Sequence, residues 1–316
     1  MNVAVVSCYF NFTDSPFRYK NYSIFQKNIR KHNIKLLTVE FSPTGNFELK
    51  KEDSDVLIQL SDGDIMWQKE RLLNIGIDHL PSNTDIVIIA DTDIIIGRED
   101  FVEKLEESLK TYKVVQCFSD TFVFNPILEL ENDVNFFKLN HNLTYNYCNS
   151  GMSVVRDYID NKTYDNVRTA YGLAWAFRYD ILKKIRLFDH NIIGSGDKLL
   201  FGTLFNIMFK HEVAGVNFNP YIEYARNSLS YVNGKEVSYL KDTTIYSLYH
   251  GEFVNRKYLE RHNILKHYQF NSSNGLIDRP NLPYKFSNSV SEELKKEIEI
   301  YFINRKDNLP LPPCLY

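Results

Sequence analysis

The chain reads as an α/β protein with a mostly parallel central sheet flanked by helices and an irregular C-terminal extension. Two observations carry that reading. Short apolar runs alternate with amphipathic stretches of helical spacing through the first half of the sequence. The strongest run, Asp85 to Ala90 (DIVIIA), is apolar throughout after its first residue, as expected of a strand covered on both faces.

In order, Val3 to Ser7 is a buried-strand run, and Ser15-Pro16 opens a helix with a capping hydroxyl and a proline at the first helical position. Tyr22, Phe25 and Ile29 recur behind it at helical spacing. Ile34 to Phe41 is a second strand and Asp55 to Leu60 a third. Gln68 to Leu80 is helical, with Leu72, Leu73 and Ile77 on one face, and Pro81 ends it. Glu99 to Lys110 is an amphipathic helix and Tyr112 to Phe118 another strand. Strands separated by helices imply a parallel, doubly wound sheet, whose ligands bind at the carboxyl ends of the strands where the order reverses.

The second half is less regular. Asn125 to Asn149 is polar and aromatic, a loop over a cleft. Gly172 to Arg178 reads as a strand, Tyr179 to Ile185 and Leu199 to Lys210 as helices, and Val213 to Phe218 and Thr244 to Tyr249 as strand-like. The tail Leu309 to Pro313 is extended. One domain over 1–270 with an extension over 271–316 is expected.

Composition narrows the function classes. With 37 basic and 40 acidic residues the net charge is −3, too weak a field for non-specific binding to nucleic acid or membrane surfaces. The four cysteines are dispersed, which argues against a zinc ribbon or a disulfide scaffold and for reduced thiols. No run approaches the roughly 18 apolar residues of a membrane span, and the first residues lack the basic region of a signal peptide. A soluble, cytoplasmic protein is expected.

Three Asp-x-Asp triplets occur. Asp53-Ser54-Asp55 and Asp62-Gly63-Asp64 read as turn or cap residues. Asp91-Thr92-Asp93 differs, because it follows the apolar strand directly and precedes Ile94-Ile95-Ile96. Carboxylates flanked in that way are buried, and buried charges are paired or metal-bound. If the segment is extended, Asp91 and Asp93 point to one side and reach one hard cation together.

Three further stretches are similar to the GT-A glycosyltransferases, particularly inverting ones related to the family 2, galactosyltransferase and polypeptide N-acetylgalactosaminyltransferase groups. Trp67 to Gly76 resembles the family's helix before the DxD strand, whose Lys and Asn approach the nucleotide; these are Lys69 and Asn74 here. Gly172 to Leu182, then Phe188-Asp189 and Ile193-Gly194-Ser195-Gly196-Asp197, resemble its Gly-rich strand, helix and acceptor segment. The closing acid of that segment is the family's catalytic base, which makes Asp197 the candidate; a single acid stands here where the family often has a Glu-Asp pair. Tyr246 to Gly251 resembles the late strand whose His completes the metal sphere, which is His250 here.

The resemblance implies a nucleoside diphosphate sugar donor, expected to be a UDP-sugar, a carbohydrate or glycoconjugate acceptor, and Mn²⁺ or Mg²⁺. It implies Asp91, Asp93 and His250 at the metal, and Tyr9, Asp62, Lys69, Asn74, Asp91 and Trp175 at the nucleotide sugar. Tyr9, in the Cys8-Tyr9-Phe10-Asn11 turn after the first strand, suits stacking on a base. Arg256, Lys257 and Arg261 follow His250 as candidate phosphate contacts or as a solvated charged face. A retaining transferase and a catalytically inactive nucleotide- or sugar-binding module remain as alternatives on the same fold; a nucleotidyltransferase lacks its Gly-rich loop after the first strand.

Overall fold

A computed structural model describes residues 1–124, 147–164, 168–213, 217–251 and 253–305. In chain order its elements are β1 (Val3–Tyr9), α1 (Pro16–Lys31), β2 (Lys35–Phe41), β3 (Val56–Leu60), α2 (Lys69–Asp78), β4 (Ile86–Ala90), β5 (Ile94–Ile96), α3 (Phe101–Thr111), β6 (Val114–Gln116) and β7 (Asp120–Phe124). There follow β8 (Tyr147–Ser153), α4 (Val154–Arg156), β9 (Thr169–Ala170), β10 (Ala174–Arg178), α5 (Tyr179–Ile185), α6 (Gly196–Phe205), α7 (Phe218–Leu229), β11 (Val237–Tyr239) and β12 (Thr244–Leu248). The last are α8 (His262–His267), α9 (Ser272–Gly275), β13 (Leu276–Ile277), β14 (Lys285–Phe286) and α10 (Glu292–Asn304).

The central sheet runs β11-β6-β10-β4-β1-β2-β3. Its pairs are parallel except at β10, which runs antiparallel to both β4 and β6. Alternate residues of the strands go to two cores, as period-two geometry requires. On β4, Val87 and Ile89 pack with α2, α5 and α6, while Ile86, Ile88 and Ala90 pack with α1 and α3. All five residues of β4 are therefore buried.

A second sheet, β5-β12-β7-β8-β9, lies beyond the end of β4. The strand order reverses between β1 and β4, so the crevice of the fold opens past Tyr9 and Ala90. Residues 271–305 are ordered on a third core, in which Phe286, Leu294, Ile298 and Phe302 meet Met66, Ile192 and Ile193.

Several elements differ from expectation. Ser15 does not cap α1 with its side chain, although Pro16 does begin that helix. The helix expected over Leu199 to Lys210 starts and stops earlier, with Asp197 in its first turn. Phe218, expected to end a strand, begins α7; residues 214–216 lie outside the described residues, as do 125–146 and the tail beyond 305. Cys8 and Cys117 are free thiols. Among the described residues no helix is long and apolar enough to cross a membrane.

Candidate active site

Asp91 is the first polar residue after the buried β4, and the antiparallel partner β10 holds it there. Its N–H donates to the Leu173 carbonyl at 2.8 Å, and its Oδ2 accepts from the Leu173 N–H at 3.2 Å. Residues 91–93 do not extend the strand: the chain turns between β4 and β5. The expectation that both carboxylates lie on one side of an extended segment is therefore corrected, because they engage separate partners.

Asp91 faces Lys69, the first residue of α2, with Oδ1 2.6 Å from Nζ. The same ammonium donates to Asp197 at 2.9 and 3.2 Å. A lysine at a helix N-terminus opposes the helix dipole, and these two carboxylates offset that cost. Gly172 passes between them: a Cβ there would lie 2.8 Å from Asp197 Oδ2 and 3.5 Å from Asp91 Oδ2. Burial alone would lower the Lys69 pKa, but Asp197 and Asp91 hold it well above its ordinary value. Burial pushes the Asp91 carboxyl up to about 6, with Lys69 opposing and the Asp197 and Asp93 charges adding.

Asp93 is placed by the second sheet. β5 pairs antiparallel with β12, Ile94 opposite Ser247, and the Asp93 carbonyl accepts from the Leu248 N–H at 2.6 Å. That register carries His250 to Asp93, with Nδ1 2.8 Å from Oδ2. Burial, then the Arg256 charge, lower the His250 pKa below its ordinary value, so its neutral ring donates Nδ1–H to Asp93. Burial alone would raise the Asp93 carboxyl, but His250, Arg18 and Arg256 together hold it well below the usual carboxylate range.

Asp197 sits in the first turn of α6, directly after Gly194-Ser195-Gly196. Gly196 is required by close approach: a Cβ would overlap the Glu70 carboxyl. Glu70 is the acid that sequence reasoning missed. It is buried, accepts from Trp67 Nε1 at 3.1 Å, and is pushed up to about 8 by burial, with Lys69 opposing and Asp197 adding. A second acid thus stands beside Asp197, drawn from α2 rather than from the adjacent sequence. Its one local signal was a position next to Lys69.

The other expected site residues are placed elsewhere or are already engaged. The buried Asn74 amide donates to the Leu187 carbonyl at 2.9 Å and to Asp189 at 3.1 Å, and accepts from the Leu187 N–H at 3.0 Å. Tyr9 is buried edge-on to Tyr22, with its hydroxyl on Glu48. Trp175 lies in the core on the α2 side and donates Nε1–H to the Tyr171 carbonyl at 2.8 Å. Asp62 is exposed and ion-paired with Arg279 and Lys285. Past the end of β1, Phe10, Asn11, Phe12, Thr13 and Arg18 line a small pocket together with Phe302 and Arg305.

The donor types suit a hard divalent cation, since Mn²⁺ and Mg²⁺ take carboxylate oxygens and manganese also accepts imidazole. In this structure Asp91 is engaged by Lys69 and Asp93 by His250, and no group of three or more His, Cys, Asp or Glu among the described residues is arranged around one point.

No family model matches the sequence, and no curated protein matches it. Solved structures of similar architecture include the catalytic domain of Drosophila β1,4-galactosyltransferase 7 in complex with xylobiose, at 9% identity and TM-score 0.33, over 76% of this chain and 65% of that one, just under two-thirds of its length. Glucosyl-3-phosphoglycerate synthase from Mycobacterium tuberculosis, solved with Mn²⁺, UDP and phosphoglyceric acid, matches at 11% identity and TM-score 0.36, over 75% of this chain and 67% of that one. The 4-diphosphocytidyl-2C-methyl-D-erythritol synthase from Anaerococcus prevotii DSM 20548 matches at 13% identity and TM-score 0.35, over 84% and 97%.

Proposed function

We propose that this chain is a metal-dependent GT-A glycosyltransferase that moves a sugar from a nucleoside diphosphate sugar, a UDP-sugar on this reading, to a hydroxyl of a carbohydrate or glycoconjugate acceptor with inversion. One observation supports it above the others. Lys69, Asp91, Asp93, Asp197 and His250, drawn from four separate places in the chain, converge past the carboxyl end of β4.

On this reading Asp93 and His250 hold Mn²⁺ or Mg²⁺, with Asp91 sharing it or meeting the ribose. When bound, the ion supplies positive charge against the departing diphosphate. Asp197, at the head of α6, accepts the proton of the acceptor hydroxyl as its oxygen bonds to the anomeric carbon. The bond from that carbon to the diphosphate oxygen breaks, and the nucleoside diphosphate leaves with the electron pair. Lys69 orients the Asp197 carboxylate through its two hydrogen bonds.

The test is metal-dependent hydrolysis of a panel of UDP-sugars, which reports the donor without knowledge of the acceptor. Asp93→Asn is expected to reduce turnover by roughly a hundredfold or more, the scale of losing a charge-stabilising group. Undiminished turnover in excess EDTA, or wild-type rates in the variant, would overturn the metal assignment.

A further inference from the structure

The loop that delivers Asp197 holds a serine in a conformation that serine does not favour. Gly194 and Ser195 both lie in the left-handed region, with φ at 100° and 74°. Glycine adopts it freely, whereas a residue with a Cβ is strained there. The two neighbours of Ser195 are glycines at points of close approach. A Cβ at Gly194 would lie 3.0 Å from Arg261 Nη1, and one at Gly196 would overlap the Glu70 carboxyl. Ser195 alone in this loop carries a side chain, and strain of this kind persists only where surrounding contacts over-determine it.

Ser195 stands at the N-cap of α6, where a serine ordinarily accepts from an N–H of the first turn. Here it makes no such bond. Its carbonyl accepts from the Leu199 N–H at 3.0 Å, which opens the helix, while its hydroxyl bonds outside the helix. Arg261 Nη2 donates to Oγ at 2.7 Å, and Oγ lies 2.9 Å from His262 Nε2. A guanidinium can only donate, so the hydroxyl's own hydrogen goes to Nε2 and His262 carries its ring proton on Nδ1. The ring is 1% exposed. Burial, with the Arg261, His211 and Lys198 charges adding, pushes it down to about 3, so it stays neutral and able to accept. Nδ1 is buried without a hydrogen-bond partner, which leaves the Ser195 hydroxyl as the ring's one such partner among the described residues.

Both partners belong with the C-terminal part of the chain. His262 opens α8, whose Leu265 shares the third core with Phe286, Leu294, Ile298 and Phe302. Arg261 Nη1 reaches the Tyr301 hydroxyl on α10 at 3.4 Å. The loop before Asp197 is thereby tied to the extension.

Resting on the transferase reading, we propose that Ser195 is a positioning residue for the base, its hydroxyl bonds to Arg261 and His262 holding the strained turn that aims the Asp197 carboxylate. Asp197 lies two residues on, in the first turn of the helix that Ser195 opens, and there meets Lys69 at 2.9 Å. Loss of the oxygen frees the turn to relax, and a reacting group displaced by about 1 Å loses about 10²-fold in rate. Asp93 and His250 are held by other elements.

Metal-dependent hydrolysis of the UDP-sugar panel, with water as acceptor, tests this in Ser195→Gly, His262→Leu and His262→Gln. Because glycine suits the left-handed turn, Ser195→Gly removes the oxygen without straining the fold. It is expected to lower kcat about 10–100-fold, with KM for the UDP-sugar and calorimetric UDP–Mn²⁺ affinity within about twofold of wild type. His262→Leu is expected to match it. His262→Gln, whose amide oxygen still accepts from the hydroxyl, is expected to recover most of the rate. Nitrogen NMR of the full chain labelled at histidine reads the bond without activity. At about pH 6 the wild-type His262 ring should be neutral and protonated on Nδ1, with an Nε2 signal that shifts in Ser195→Gly. A wild-type kcat in Ser195→Gly would overturn the positioning role. So would a loss that falls on UDP affinity instead, or a His262→Gln no faster than His262→Leu. A charged ring, or one that Ser195→Gly leaves unchanged, would overturn the hydrogen bond itself. A wild type without metal-dependent hydrolysis but with the expected histidine signals would overturn the transferase reading, and the positioning role with it, while leaving the clamp on the loop.

Discussion

Lys69→Met removes one ammonium and leaves the aliphatic stem in place, so it isolates the charge that joins Asp91 to Asp197. The lysine side chain is 10% exposed and the two carboxylates 28% and 30%. Removing one partner from a buried ion pair costs about 3–5 kcal/mol, and the residual exposure of the acids puts this case at about 3. At about 2 °C per kcal/mol for a chain of this size, the midpoint of thermal unfolding in EDTA should fall by about 6 °C. The loss should depend on pH with a definite sign. Asp91 is already pushed up to about 6 with Lys69 present, and without Lys69 it rises further. The deficit is therefore expected to be full at about pH 8 and to shrink at about pH 5, where the carboxyl binds its proton. Saturating Mn²⁺ should also narrow the gap, because a cation on the freed carboxylate replaces the missing charge, and a hundredfold excess over Kd contributes about 2.7 kcal/mol. Scanning calorimetry of both proteins with EDTA and with Mn²⁺ reads all of this. A variant that melts within about 1 °C of wild type in EDTA would refute the account of Lys69 as the joining charge. A gap that Mn²⁺ leaves untouched would refute the cation role of the acids.

Three other outcomes follow from the same geometry. Asp197→Asn should reduce transfer by about 10²–10⁴-fold, the range for losing a general base, with UDP–Mn²⁺ affinity retained; loss of donor affinity instead would show that the base is misplaced. Glu70→Gln should change how stability depends on pH. The carboxyl is raised from 4.5 to about 8, so its stabilisation is complete below about 4.5 and lost as pH rises through about 8. The glutamine variant should therefore gain on wild type by a few kcal/mol between about pH 5 and about pH 8 in urea titrations, and an equal difference at both would count against burial as the cause. Asn74→Ala leaves the buried Leu187 N–H and C=O unpaired, which costs about 2–4 kcal/mol; undiminished stability with weakened UDP binding would return Asn74 to the donor site.

The central sheet was legible because its strands report their own burial. β4 is apolar throughout since helices cover both of its faces, and that same run marks Asp91 as the place where the core ends. The antiparallel β10 was not legible as such, because Ala174 to Arg178 has the same buried composition whichever way the chain runs. Helix α10 could have been read: Ser291 caps it by accepting from the Leu294 N–H, and Leu294, Ile298, Tyr301 and Phe302 recur at helical spacing on its buried face. Its packing on Met66 and Ile193 depends on contacts between residues more than 90 positions apart, which no local pattern encodes.

The acidic triplet shows where spacing ceases to inform. Two acids separated by one residue share a face only if the backbone is extended, and here it turns, because β5 must leave β4 to pair with β12 in another sheet. The turn gives each acid a different neighbour and opposite electrostatics: Asp91 is pushed up by burial beside Lys69, and Asp93 is held down by His250, Arg18 and Arg256. At Asp91 a cation and the Lys69 ammonium compete for the same oxygens, whereas at Asp93 the neighbour is a neutral imidazole that can itself coordinate through a ring nitrogen. A divalent ion arriving at this turn therefore meets less competition at Asp93 than at Asp91. Its later reach toward Asp91 would leave the Lys69 ammonium to Asp197 and the adjoining Glu70, which on the proposed reading ties the metal to the base through a single side chain.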